Sequence, residues 1–434
     1  MRARAALIAA LLLVTAAPSW SAGVGPSIVR GLLVTDTRPN QITISWNTPA
    51  QGSPTSYQVF WSTTNGLNWE DMRVTKKNFY TLNNTDTGTT YLFAVSAKNK
   101  FDLGPTALIS AKADFPEVLA TSESALEPYR GLGFWIDMYS WRKVHVKSKK
   151  FTATYQPFTC DSINEAASYG ARTLFIQTAM PVEDPVILDP EYLAELISCA
   201  KKNNLYVVAW YYPQLLNVNL DFTRALASAQ LPGIDGFGLD IESRKVGNVY
   251  DRNKRLVELS DRLHQALPNM ALSAITYTPY NLDEATTWPQ FPWAELAQNY
   301  AIWQPMTYWS SRKGELAHGF SYTQHTIKGL RTHLGANARI NIVGAPGTTA
   351  KEVNGMIDAM LQAGPGIIGG GLYQWSQMSC AGKNAQLRLN HLDGSGNLRT
   401  LSAPTPKYTK FCQPAPIDTS TVTSDTATST SAAS

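Results

Sequence analysis

Two carboxylates stand two residues apart in the segment Gly233-Ile-Asp235-Gly-Phe-Gly-Leu-Asp240-Ile-Glu242-Ser243. Side chains alternate faces along a strand. Read as a strand, Phe237, Leu239 and Ile241 share one face, while Gly236, Gly238, Asp240 and Glu242 share the other. That puts the two carboxylates on one side, roughly 7 Å apart along the strand. Burying a carboxylate costs several kcal/mol unless it is partnered, so a pair on an inward face points to chemistry rather than stability. The chemistry is proton transfer. The negative charge of Asp240 raises the pKa of Glu242 and keeps it protonated near neutral pH, as a general acid must be.

Such a pair needs a scaffold that brings it to a mouth. Residues 129–412 repeat a strand–helix alternation. The expected strands are Leu132–Met138, Thr173–Thr178, Tyr206–Tyr211, Gly236–Ile241, Ala271–Thr276, Ile302–Tyr308, Ile340–Gly344 and Ile367–Trp375. Helical patterns lie between them at Pro190–Lys202, Arg252–Leu267, Tyr322–Leu334 and Thr349–Gln362. Eight strands alternating with helices is the arithmetic of a (β/α)8 TIM barrel, whose active site lies at the C-terminal strand ends. A doubly wound sheet would need a phosphate-binding glycine loop after its first strand. Gly364-x-Gly366-x-x-Gly369 precedes a strand instead and reads as structural.

Three strand ends resemble one family. Asp235-Gly-Phe-Gly-Leu-Asp240-Ile-Glu242 resembles the DGxDxDxE signature of family 18 glycoside hydrolases, the chitinase-like group. Gln304-Pro-Met306-Thr-Tyr308 is similar to that family's QxMxYD on strand six, and Tyr373-Gln-Trp375 to its eighth-strand tryptophan. The resemblance implies Glu242 as the acid that protonates the leaving oxygen. It implies that Asp240 orients the substrate's N-acetyl group, which acts as nucleophile in a substrate-assisted, retaining route. Tyr308 would hold the acetamido oxygen and Trp375 would stack under the sugar, with Asp235, Gln304, Met306 and Trp309 beside them at the matched positions. The chain departs from the pattern at three places. The middle Asp of the signature is Gly238, the Asp after the strand-six Tyr is Trp309, and no Ser-x-Gly-Gly is visible on strand three.

A two-carboxylate glycosidase would place a nucleophile about 5 Å from the acid, commonly on strand seven. That end reads Asn341-Ile-Val-Gly-Ala-Pro346 and offers no acid. Family 25 muramidases, acting on peptidoglycan, also carry an inner-strand Asp-x-Glu, and Asp137 in Gly133-Phe-Trp-Ile-Asp137 is compatible with them. A sugar-binding lectin on the same barrel is the non-enzymatic alternative. Flat rings stack on pyranose faces. The chain has 12 Trp and 19 Tyr, of which Trp135, Tyr139, Trp141, Trp210, Tyr211, Tyr212, Tyr277, Tyr280, Trp303, Tyr308, Trp309 and Trp375 fall near strand ends, about half of them as ordinary packing. Trp135, Asp137 and Tyr211 are expected to touch substrate, and Trp288 and Trp293 to wall a cleft.

The N-terminal part is different. Residues 27–113 alternate as short strands separated by turns such as Asn65-Gly66 and Thr87-Gly88. Trp46 and the run Leu82-x8-Tyr91-x3-Val95-x-Ala97-x-Asn99 resemble a fibronectin type III domain, an immunoglobulin-like sandwich. Residues 1–22 have the charge, apolar run and small-residue end of a cleaved signal peptide. Residues 114–128 read as a linker, and 413–434, without an aromatic, as a disordered tail. No later stretch is apolar enough to cross a membrane, so a secreted monomer is expected. Four cysteines suit export as two disulfides, with Cys160–Cys199 and Cys380–Cys412 the favoured pairing.

Other classes have little support. The formal charge is +4, or roughly +2 without Arg2 and Arg4, which gives no footprint for nucleic acid. No HExxH, GxSxG or Walker loop is present, and His318, His325 and His333 read as a solvated helix face. Neither a metal nor an organic cofactor is expected. The expected partner is a polysaccharide, chitin or peptidoglycan.

Overall fold

In the N-terminal part, alternating apolar residues form two antiparallel sheets. The strands are β1 (Arg30–Arg38), β2 (Gln41–Asn47), β3 (Ser56–Ser62), β4 (Arg73–Thr75), β5 (Phe79–Asn83), β6 (Thr90–Lys98) and β7 (Leu103–Lys112). The sheets run β1-β2-β5 and β4-β3-β6-β7. Ile42, Ile44, Trp46, Tyr57, Val59, Phe93 and Val95 fill the space between them. The computed structural model describes residues 24–70, 72–142, 158–182, 184–345, 349–375 and 378–390. The expected leader (1–22), the expected tail (413–434) and Cys412 lie outside the described residues.

Helix α1 (Glu123–Leu126) and a short 3-10 turn (Glu127–Tyr129) lead into strand β8 (Gly131–Ile136). There follow α2 (Met138–Trp141), α3 (Cys160–Ser168), β9 (Thr173–Ala179), α4 (Pro190–Lys202), β10 (Tyr206–Tyr211), α5 (Val218–Ala229), β11 (Gly236–Ile241) and α6 (Val249–Ala266). The chain continues through β12 (Leu272–Thr276), a π-helical turn (Tyr280–Glu284), α7 (Trp293–Leu296), β13 (Ile302–Thr307), α8 (Gly319–Leu334), β14 (Ile340–Gly344), α9 (Ala350–Ala363), β15 (Ile367–Leu372) and α10 (Cys380–Ala385). Strands β8 to β15 pair in parallel and close into an eight-stranded barrel. The fold is a TIM barrel preceded by an all-β sandwich.

Small residues let the barrel close. A Cβ on Gly371 of β15 would lie 1.9 Å from the carbonyl oxygen of Gly133 on β8, so only glycine fits at that seam. At the bottom of the barrel the Tyr129 hydroxyl donates to the Ala271 carbonyl at 2.7 Å, and a Cβ on Gly236 would sit 2.7 Å from that hydroxyl. Part of the segment expected as linker is therefore structured. Leu126 and Pro128 are buried, because Leu126 and Tyr129 plug the barrel floor. The disulfide Cys160–Cys199 ties α3 to α4, with Cα atoms 5.7 Å apart. Cys380 is also disulfide-bonded. Among the described residues no helix is long and apolar enough to cross a membrane.

The sandwich is docked on the barrel flank. Ala294 of α7 belongs to the sandwich core, and the Val34 amide donates to Glu295 Oε1 at 3.1 Å. Between the domains His333 of α8 is buried, not on the solvated face expected of it. Its Nδ1 lies 3.0 Å from Asp36 of β1 and its Nε2 lies 2.8 Å from Asp283 of the π-turn. Arg38 holds the other oxygen of Asp36 at 2.7 Å. Trp293 stacks on the His333 ring with centroids 4.6 Å apart. Trp288 and Trp293 are thus core residues, not cleft walls. Trp288 Nε1 donates to Asn253, and both indoles pack around Phe291.

Candidate active site

Strand β11 presents its side chains as two sets. Phe237, Leu239 and Ile241 join the apolar layer between sheet and helices. Asp240 and Glu242 point into a cleft of about 310 Å³ at the C-terminal mouth of the barrel. Its walls come from every strand. Trp135 comes from β8, Asp137 and Tyr139 from the cap and first turn of α2 after it, Gln177 and Met180 from β9 and its end, and Trp210 and Tyr212 from β10 and its end. Ile275, Met306, Tyr308, Val343 and Tyr373 complete it. The volume is at the lower end of the range for small-molecule sites.

The electrostatics of the cleft are one-sided. Asp240 is almost wholly buried, and its Oδ1 has no hydrogen-bond partner among the described residues. Burial, then the charge of Glu242, pushes the Asp240 pKa well above the usual carboxylate value. Burial also raises Glu242. Both shifts favour the protonated forms, and in an interacting pair the proton belongs to the pair rather than to either group. Burial, and then the charges of Asp240, Glu242 and Asp137, pushes Tyr308 well above its ordinary value, so it stays a neutral donor. Burial, with Asp137 next, does the same to Tyr373, whose hydroxyl donates to Asp137 Oδ2 at 2.9 Å. Tyr277 is pushed up to about 12 by burial and by Glu242. The indole N–H groups of Trp135 and Trp210 are buried without an acceptor among the described residues.

Of the residues singled out in the sequence, Asp240, Glu242, Tyr308, Met306, Trp135 and Asp137 come together here. Five others do not. Asp235 precedes β11 at the opposite barrel end, where its carboxylate accepts the Val207 amide at 2.7 Å and pairs with Lys201. Gln304 faces inward one layer below the site, and its Nε2 donates to Asn341 at 3.1 Å. Tyr211 has the wrong parity: Val208 and Trp210 point inward on β10, so Tyr211 points to the helices and donates to Asp221 at 2.6 Å. Trp309 turns outward as the chain leaves β13, and its Cη2 would be 3.2 Å from a Cβ on Gly344. Trp375 lies beyond the end of β15, which stops at Leu372, three residues short of the expected strand end. Its indole packs edge-on against Phe134 and Tyr169 and donates to Glu165 at 3.1 Å. It is not the floor of the cleft.

Sequence reasoning left Tyr373, Gln177 and Met180 out of the site. Parity along β15 carries the signal for Tyr373. Gly369 and Gly371 approach β8 across the barrel seam, and Tyr373 is the next residue of that set. The missing middle Asp of the signature also has a physical cause. A Cβ on Gly238 would meet Ile275 Cδ1 at 2.8 Å and Ser273 Oγ at 2.9 Å, so a third carboxylate under Asp240 would have to displace both side-chain ends.

Comparison with known proteins gives a partial picture. Residues 27–110 match the Fibronectin type III domain family. No curated protein matches the chain. Among solved structures, titin domains A168–A170 are 26% identical over 20% of this chain, with a TM-score of 0.20. The chain spans about a third (32%) of the length of that titin structure. An FN3tt variant is 18% identical over 21% of this chain and 99% of its own, with a TM-score of 0.19. A β-D-glucuronidase from Dictyoglomus thermophilum is 9% identical over 80% of this chain and 62% of its own, with a TM-score of 0.39. Residues 27–110 are thus a fibronectin type III domain, set in front of a closed eight-stranded parallel barrel.

Proposed function

We propose that the protein is a secreted glycoside hydrolase acting on a β-linked N-acetylhexosamine polymer, with Glu242 as general acid and Asp240 as its orienting partner. One observation carries this reading. The barrel mouth holds a buried Asp240, whose Oδ1 has no partner among the described residues, beside a half-buried Glu242, in a cleft walled by aromatic rings. Glu242 gives its proton to the glycosidic oxygen as the C1–O bond breaks. The acetamido oxygen of the same ring forms the new bond to C1, while Asp240 Oδ1 accepts the acetamido N–H and stabilises the positive charge that develops. Tyr308, held neutral, donates to the acetamido oxygen. Water then adds at C1 and returns a proton to Glu242, with retention of configuration.

A second reading, a family 25-like muramidase, is favoured by one feature. Asp137 lies in the same cleft as Asp240 and Glu242. Its substrate would be peptidoglycan. Oligosaccharide release from chitin and peptidoglycan, read by mass spectrometry for wild type and Glu242→Gln, tests both. Wild type is expected to release N-acetylated products and the variant to lose at least about 100-fold in rate, the scale of a general acid's contribution. Release by Glu242→Gln at the wild-type rate would refute the assignment. Sugar binding without turnover in either protein would identify a lectin.

A further inference from the structure

The mechanism leaves the β10 wall of the cleft without a role. Tyr212, the first residue beyond β10, lines the cleft beside Asp240 and Glu242 and is half-buried. Its hydroxyl is hydrogen-bonded to the side chain of Ser243, the residue that follows Glu242. Strand β10 adjoins β11 on one side, whereas Tyr308 follows β13, two strands away on the other. The charges agree with that order. Burial raises both hydroxyls first; of the two carboxylates, Glu242 outweighs Asp240 at Tyr212, and Asp240 outweighs Glu242 at Tyr308. Tyr308 therefore stands at the Asp240 end of the pair and Tyr212 at the Glu242 end.

Strand β10 stops at Tyr211, so Tyr212 takes its place from the loop that follows. Two helices behind the barrel clamp that loop. On α5, the buried Asp221 takes its N–H groups: Leu215 donates to Oδ2 at 2.8 Å and Gln214 to Oδ1 at 3.4 Å. Asp221 Oδ1 also accepts from the Tyr211 hydroxyl at 2.6 Å. On α6, Arg255 Nη1 takes the carbonyls, donating to Leu215 at 2.9 Å and Leu216 at 3.0 Å. A buried anion is costly without a partner, and Arg224, one turn along α5, offsets the charge of Asp221. Leu215 stands at φ 60°, in the left-handed region, which a residue with a side chain keeps only where its surroundings enforce it. The buried carboxylate on α5 thus fixes the path of residues 211–215, and Tyr212 is the residue on that path that faces the cleft.

We propose that Tyr212 packs against the sugar ring on the leaving-group side of the scissile bond, and that Asp221 is a positioning residue that acts through it. This rests on the hydrolase reading. Glu242 has to reach the glycosidic oxygen. The ring that departs with that oxygen then lies on the Glu242 side, and the ring whose acetamido group attacks C1 lies on the Asp240 side. A tyrosine beside Glu242 offers the departing pyranose a flat apolar surface with a hydroxyl at its edge. A substrate whose leaving group is not a sugar forgoes that contact, so the site favours bonds with a sugar on both sides.

The test sets a hexasaccharide of chitin or peptidoglycan, whichever wild type cuts, against the β-fluoride of its own disaccharide, whose leaving group carries no ring. Rates are read for the full chain, Tyr212→Ala, Asp221→Asn and the double variant, with melting scans to establish that each is folded. In Tyr212→Ala, kcat/KM for the hexasaccharide is expected to fall about tenfold, the upper scale of a single aromatic contact, and to stay level for the fluoride. Asp221→Asn is expected to lose a smaller factor on the hexasaccharide alone. It should add nothing in the Tyr212→Ala background, because residues that act through one another are not additive. An unchanged hexasaccharide rate or an equal loss on both substrates in Tyr212→Ala overturns the contact. A loss from Asp221→Asn that persists in full without the Tyr212 ring overturns the positioning role. If Asp221→Asn does not fold, Tyr211→Phe, which removes only the hydroxyl given to Asp221, takes its place in the cycle. If wild type cuts no substrate, the hydrolase reading fails instead, and calorimetric binding of the two hexasaccharides decides. Binding that weakens about tenfold in Tyr212→Ala, and no further with Asp221→Asn added, upholds the sugar contact; equal or absent binding ends it.

Discussion

Replacing His333 with Gln should loosen the junction between the two domains, and should do so in a pH-dependent way. Burial opposes a charge on this imidazole, but hydrogen bonds to Asp283 and Asp36, with the charges of both, outweigh it and raise its pKa. Both ring nitrogens face carboxylate oxygens at 3.0 and 2.8 Å, which only the doubly protonated ring can serve with two donors, while the Arg38 guanidinium, 3.3 Å from Nδ1, opposes that charge in part. Each hydrogen bond to a charged group contributes roughly 1.5–3 kcal/mol. Asp283 is about a third exposed (37%) and regains water in the variant, whereas Asp36 at 10% does not. The Asp36 bond should therefore dominate, and the loss should be about 2–3 kcal/mol at pH 6. For a chain of this size that corresponds to about 2–4 °C in melting temperature.

The sign follows from linkage. The folded-state pKa lies above that of a free imidazole, 6.5. The stabilisation is then complete below pH 6.5 and is lost as pH rises through the folded value. Calorimetric scans of wild type and His333→Gln between pH 5.5 and 9, an interval of about 3.5 units around the imidazole range, read the effect directly. The gap between the two should be widest at the acid end and shrink towards the alkaline end. It should not vanish, because neutral His333 still donates once. A gap that is constant or grows with pH would refute the account of the junction.

Three further outcomes follow from the barrel. Asp240→Asn should melt higher than wild type at pH 8, with the gap closing towards pH 4. A carboxylate whose pKa is raised by folding stabilises the native state when protonated and opposes it when ionised, so the benefit of removing it belongs to high pH. Gly238→Ala should lower stability by about 1–3 kcal/mol in denaturant titration, since its methyl meets Ile275 and Ser273 below 3 Å. Adding Ser273→Gly should recover part of that loss. Removing the Cys160–Cys199 bridge, which closes a separation of 39 residues, should cost up to about 4 kcal/mol in the same assay, by the chain-entropy relation.

The sequence exposes some features of this molecule and hides others, and geometry decides which. Strand existence was legible because apolar runs such as Tyr206–Tyr211 and Gly236–Ile241 begin and end at the residues seen in the barrel. The orientation of Asp240 and Glu242 was legible because parity holds within a strand. Parity stops where a strand stops. Trp375, beyond Leu372, and Trp309, beyond Thr307, both leave the barrel interior once the chain turns. Height in the barrel was not legible either. Asp235 and Gln304 belong to the matched motifs, yet one lies at the foot of its strand and the other a layer under the cleft. The domain junction was invisible for a different reason. Asp36, Asp283 and His333 are far apart in the chain and meet only when the sandwich docks.

That docking changes what the sandwich can do. A module on a flexible tether samples a range of distances, and its effective concentration at a second site follows the length and stiffness of the tether. Here the Val34–Glu295 bond, Ala294 in the sandwich core and the His333 contacts hold the module at one separation from the barrel mouth. Any surface the sandwich offers to a long polymer therefore works like the fixed jaw of a caliper: it admits segments of one span and cannot adjust to others. Lengthening residues 114–122 would add slack without reach, and a change of span would require rebuilding the face of β1.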